Sequence, residues 1–126
     1  MDSSIRALID VYRAETEENL STIEHGLLTL EERGVADAEL LHAVFRGAHT
    51  IKGNSAMIGF GAVTEAAHQM ENTLQRVRDG ALTWDASVAK VLLRALDALR
   101  VRVKEEKADG GERSTDATPA AGAAAV

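Results

Sequence analysis

DAELLHAVFRGAHTIKGNSAMIGFGAVTEAAHQMENTLQRVRDG, residues 37–80, decides the fold. Its apolar residues advance by threes and fours on both sides of a Gly-Phe-Gly. Before it, Leu41, Val44, Ala48, Ile51, Ser55 and Ile58 make one stripe; after it, Val63, Ala66, Ala67, Met70, Leu74 and Val77 make another. That spacing belongs to a helix with one buried face. Asp37 is a good N-cap for the earlier helix, which is predicted to run to about Ile58. Gly59 is its stop, Gly61 an acceptable N-cap for the next helix, and Asp79-Gly80 closes that one. A connection this short makes the two helices antiparallel.

Working outward, the same period continues. Ile9, Tyr12, Thr16, Leu20, Ile23, Leu27 and Leu30 predict a helix from about Ser3 to Arg33, opened by Ser3 or Ser4 and ended by a left-handed Gly34. Gly26 inside it costs about 1 kcal/mol relative to alanine and is expected to admit a close helix approach. Downstream, Thr83 or Asp85 opens a fourth helix whose inward residues are Val88, Leu92, Ala95, Leu99 and Val103. Arg100, Arg102, Lys104 and Lys107 are read as its last turns, where positive charge suits the helix dipole. The expected fold is all-α, an antiparallel up-down-up-down four-helix bundle over residues 1–107. Residues 108–126, ADGGERSTDATPAAGAAAV, lose the apolar period and read as a flexible C-terminal linker, which suggests a chain cut from a longer protein.

Composition agrees with one helical domain. The chain has 126 residues, 45% hydrophobic, enough for a single core. Aromatic residues are only 3%, which disfavours a β-sandwich or a base-stacking surface. A net charge of −6 argues against nucleic acid as a partner, since that affinity rests on cations facing phosphates. There is no cysteine, so disulfides and thiolate metal sites are excluded. The start, MDSSIRALID, lacks the layout of a signal peptide, and no apolar run is long enough for a bilayer. A cytoplasmic protein without membrane contact is expected.

The chemistry lies in GAHTIKGNSAMIGF, residues 47–60. The buried stripe passes through Ala48 and Ile51, and His49 lies about 100° around from Ala48, on the flank or outside. Lys52 and Gly53, three and four residues on, share the face of His49, about 5–6 Å away at Cβ. The trio describes an exposed imidazole with clear approach and a cation beside it, as phosphorylation of a histidine requires. In the next helix His68 and Glu71 flank its stripe. His49 is ten positions before Gly59, His68 nine after it and Glu71 twelve after it, so either can meet His49 across the groove. A carboxylate on Nδ1 would fix the tautomer and leave Nε2 free to attack. Each residue alone has an ordinary reading as a surface charge, a satisfied ring or a packing notch; their combination favours the functional one. His25 and His42 have no such company. No His, Asp and Glu cluster has ligand spacing for a metal. Glu15, Glu17 and Glu18 read as a solvated face, as does the group Arg76, Arg78 and Asp79.

FRGAHTIKGNSAMIGF resembles the histidine-containing phosphotransfer (HPt) motif of the P1 domain in chemotaxis-type histidine kinases, the CheA family, with its AH-[ST]-IKG and a GF six residues after the glycine. DAELLHAVFR ahead of it and AAHQMENTLQRVRDG behind it are also similar to that family. The resemblance covers Ile5 to Gly80 well and the fourth helix loosely. It implies that His49 is the phosphorylated residue, with Lys52 and Gly53 beside it and His68 and Glu71 as the supporting hydrogen-bond network. It further implies an ATP-binding kinase domain of the same protein acting in trans, which would hold both ATP and Mg2+, and a response-regulator receiver domain whose aspartate takes the group. No cofactor is expected in the domain itself, which carries neither a Gly-rich phosphate loop nor a carboxylate set for Mg2+. No independent catalysis is expected of it, while the full-length protein would be an ATP-dependent protein histidine kinase. Asn54-Ser55 stands where the family commonly has Gly and Ala, and a fifth helix seen in some relatives is not expected. A stand-alone phosphorelay intermediate and a purely structural helical interaction module are the alternatives.

Overall fold

The computed structural model describes residues 3–117, with side chains over 3–106. Four helices make up the described residues: α1 (Ser3–Arg33), α2 (Ala38–Met57), α3 (Gly61–Arg78) and α4 (Ala86–Ala117). Each packs against its neighbours in sequence, and α1 closes the ring against α4, while the diagonal pairs do not approach. This is the expected four-helix bundle. Leu20, Ile23, Leu27, Val44, Ile51, Met70, Leu74, Leu92 and Leu99 fill its centre, none more than 1% exposed. Burying one such side chain is worth roughly 1.5–3 kcal/mol relative to leaving it in water.

The inward stripes hold with small departures. Ile9, Ile58, Ala66 and Ala95 are only half-buried. Phe60, Ala89 and Leu96, which the stripes omit, are buried. Phe60 sits in the turn, where periodicity says nothing, and packs edge-to-face on Tyr12 at 5.4 Å between centroids. Burial pushes the Tyr12 phenol up to about 12.

The α2–α3 turn is closed by backbone chemistry. Gly59 takes φ +81°. Its N–H donates to the Ala56 carbonyl at 3.2 Å, and Phe60 N–H donates to Ser55 at 2.9 Å. This is the glycine-dependent Schellman ending. Gly80, at φ +79°, ends α3 in the same way, with Gly80 N–H to Val77 and Ala81 N–H to Arg76. Asp37 caps α2 as expected, accepting from Glu39 and Leu40 N–H at 3.0 and 3.1 Å. Asp85, not Thr83, opens α4, accepting from Val88 N–H at 2.9 Å.

Three expectations need correction. Gly61 is not a cap but the first residue of α3; Phe60 holds the cap position and its apolar ring supplies no hydrogen bond. The acceptor comes from another helix: Glu106 Oε1 on α4 accepts the Val63 N–H at 3.1 Å and is 5% exposed. Second, α4 continues to Ala117 rather than ending near Lys107. The first proline is Pro119, so every residue up to Ala117 keeps its N–H donor. The rest of the expected linker lies outside the described residues. Third, the cations at 100, 102 and 104 are therefore not in the last turn of α4, which holds no basic residue. Arg100 instead pairs with Glu24 of α1 at 2.9 Å.

Candidate functional site

His49 follows fully buried Ala48 on α2, so its side chain leaves the core at the seam with α3 and is 62% exposed. Its Nδ1 hydrogen bonds to Glu71 Oε2. Lys52 Nζ donates to the other oxygen, Glu71 Oε1, at 2.6 Å. Glu71 belongs to α3 and is itself buried, at 7% exposure. The turn at Gly59 sets this register, since it folds α3 back so that a residue twelve positions after it meets residues ten and seven positions before it.

Burial alone would push the Glu71 carboxyl up, but hydrogen bonds and charge from Lys52 and His49 outweigh it and hold the group below its ordinary value. Glu71 is therefore a carboxylate at neutral pH, able only to accept. Nδ1 must then carry the proton, and the Nε2 lone pair faces water. Lys52, 29% exposed, both neutralises the buried charge and keeps an ammonium near the ring.

The other predicted site residues divide. His68 is exposed and makes no hydrogen bond or ion pair with a described residue. The contact with His49 falls to Glu71. Gly53 is exposed, and a Cβ built there would meet nothing within 4 Å. A methyl at that position would thus not touch the imidazole; the open space beyond it is what an incoming group could use. Ser55, the departure from the small-residue pattern, is buried and shares a hydrogen bond with Thr64 of α3 at 2.7 Å, tying the two helices together below the site.

Two residues beside the site escaped the sequence reading. Phe45, one turn before His49, lies nearly parallel to it, with ring centroids 6.2 Å apart and planes at 9°. Arg78, read as part of a solvated group, sets its guanidinium 4.7 Å from the Phe45 ring centroid. The signal for Phe45 was its i−4 position; nothing in sequence placed Arg78 across from it. Among the described residues no group of three or more His, Asp or Glu could hold a metal ion. No described helix is long and apolar enough to cross a membrane.

The helical bundle thus carries an exposed imidazole, His49, anchored by the buried carboxylate of Glu71. The family model for the Hpt domain matches residues 7–102, and the chain belongs to that family. Within it the similarity runs to chemotaxis kinases. The chain is 36% identical over 108 residues to the chemotaxis protein CheA of Bacillus subtilis, covering 86% of this chain and 16% of that one. It is 37% identical over 102 residues to CheA of Rhizobium meliloti, covering 81% and 13%. The chain thus spans a small part of these relatives. Among solved structures, the phosphorylated P1 domain of CheA3 in complex with CheY6 from R. sphaeroides matches with a TM-score of 0.74 and 31% identity, covering 87% of this chain and 91% of that one. The CheA phosphotransferase domain from Thermotoga maritima matches with a TM-score of 0.72 and 28% identity, covering 82% and 97%.

Proposed function

We propose that His49 is the phosphoryl carrier of a chemotaxis-type histidine kinase. The observation that carries this reading is the His49–Glu71 pair: a solvent-facing ring with one nitrogen bound to a buried carboxylate and the other free. In the forward step the Nε2 lone pair attacks the γ-phosphorus of ATP. The N–P bond forms as the bond to the bridging oxygen breaks, and ADP departs with that electron pair. The Nδ1 proton stays in place, so the ring gains a positive charge as the phosphoryl group arrives. Glu71 opposes that charge, and Lys52 opposes the charge of the phosphoryl oxygens. The same positive ring is a good leaving group in the second step, when an aspartate oxygen of a receiver domain attacks phosphorus and the N–P electrons return to Nε2.

This reading gives ATP and Mg2+ to a kinase domain of the same protein, acting in trans, and places the domain in the cytoplasm, where ATP is supplied. The likeness to a P1 domain bound to CheY6 supports a response-regulator receiver as the acceptor. The domain is then substrate and carrier, and the full protein an ATP-dependent histidine kinase. The test is incubation with a CheA-type kinase domain and γ-labelled ATP. Wild type should acquire an acid-labile, base-stable label, and His49→Gln should fold normally and acquire none. Equal labelling of the two would remove His49 from the mechanism.

A further inference from the structure

A hydrogen bond to one ring nitrogen does not fix an imidazole. The contact with Glu71 restrains one ring nitrogen of His49, but the χ1 and χ2 torsions together keep a freedom, since χ2 of a histidine is broad, and motion along it swings Nε2 through an arc. At 62% exposure, little else stands against that motion. Phe45 is placed to stop it. It lies one turn earlier on the same face of α2, with its plane 9° from that of the imidazole and the centroids 6.2 Å apart. That lies within the range of offset-stacked aromatic pairs. Phe45 is itself only half-buried, and a phenyl ring at a helix surface has rotamers of its own. Arg78 supplies the missing restraint from the end of α3, its guanidinium 4.7 Å from the Phe45 centroid, well within cation–π range.

We infer that Phe45 and Arg78 are positioning residues for transfer at His49. Phe45 holds the plane of the imidazole so that Nε2 points along one line into solvent, and Arg78 holds Phe45 in that place. Neither touches the phosphoryl group; both act through the ring that does. The inference rests on His49 being the phosphorylated residue. Its chemical content is that Glu71 chooses which nitrogen attacks while Phe45 chooses the direction. Attack on phosphorus is in line with the departing oxygen, so a wandering ring spends less time in the reactive pose.

The test compares wild type, Phe45→Leu, Phe45→Tyr, Arg78→Met and the double variant Phe45→Leu with Arg78→Met. Labelling by a CheA-type kinase domain and ATP gives kcat and KM for the domain as substrate. NMR of the His49 ring protons in the unphosphorylated chain reports the ring current of Phe45. Phe45→Leu keeps bulk without a flat face, and should lower kcat about three- to tenfold, the range that the stacking energy implies, with KM within about twofold. It should also move the His49 signals toward those of an unstacked imidazole. Phe45→Tyr should restore both. Arg78→Met should lower kcat by a smaller factor, and the double variant should be no slower than Phe45→Leu alone, because Arg78 works through Phe45. Unchanged kcat in Phe45→Leu, a tyrosine as slow as leucine, or multiplying losses in the double variant would each overturn the inference. If wild type takes no label at His49, the phosphotransfer reading fails; the ring signals of the Leu and Tyr variants then still decide whether Phe45 orients the imidazole.

Discussion

Glu71 and Glu106 are the two buried carboxylates among the described residues, at 7% and 5% exposure. Glu71 lies on the α2–α3 seam and accepts from two side chains, one of them a ring that faces water. Glu106 lies where α4 passes the start of α3 and accepts a backbone N–H. Both satisfy the rule that a buried polar group must be hydrogen-bonded, yet they serve different ends. Glu106 replaces a missing cap and fixes one helix against another. Glu71 holds one nitrogen of an imidazole that is otherwise exposed. What separates structure from chemistry here is the partner: a backbone donor has nowhere else to go, whereas an imidazole has a second nitrogen.

The contrast can be broken by experiment, beginning with the largest effect. Glu71→Ala should slow phosphoryl transfer to His49 by about 10–100-fold, the usual cost of losing a residue that orients a functional histidine. Its far-UV circular dichroism should remain that of wild type; unchanged labelling kinetics would show that the carboxylate does not set the tautomer. Glu106→Ala should do the reverse, lowering the unfolding free energy by about 1–3 kcal/mol in urea titrations while folded protein labels at the wild-type rate. Slower labelling at unaltered stability would erase the distinction between the two acids.

Smaller effects sharpen the comparison. Because its partners hold Glu71 below its ordinary value of 4.5, its stabilising contribution is fully present above that pH. It is lost as the pH falls through the lower folded value. Acid unfolding of Glu71→Gln should therefore depend less steeply on pH below about 4.5 than that of wild type; identical curves would mean the carboxylate titrates normally when folded. Last, Gly53→Ala should gain up to about 1 kcal/mol in helix propensity, since no atom within 4 Å opposes the methyl. A loss of stability there would reveal a contact that the open surface does not suggest.

Much of this was legible in residues 37–80 because two kinds of periodicity coincide there. The stripes through Val44, Ala48 and Ile51 and through Ala67, Met70 and Leu74 fix which faces are inside, and the glycine between them fixes the return. From those alone His49, Lys52 and Glu71 fall near one another. What spacing could not do was choose between His68 and Glu71, since three residues on a helix differ by less than a turn and the register depends on the geometry of the turn. Phe45 and Arg78 were hidden for a related reason: Phe45 belongs to neither stripe, Arg78 reads as a solvated charge, and only the packed seam puts them in contact. Glu106 gave no sign at all, because a cap supplied by a different helix leaves no local motif. The extent of α4 was misjudged because loss of the apolar period removes the evidence for burial, not the ability to form helix.

Gly26 carries the last consequence. A β-carbon there would collide with the Cγ2 methyl of Val44, so α1 and α2 touch at a point where only hydrogen fits. Val44 is five residues ahead of His49 on a stiff rod. Close-packed interiors pass strain along instead of absorbing it, so a methyl added at 26 would press on Val44 in the helix that carries His49. The seat of the helix that carries His49 against α1 thus depends on a side chain that residue 26 lacks.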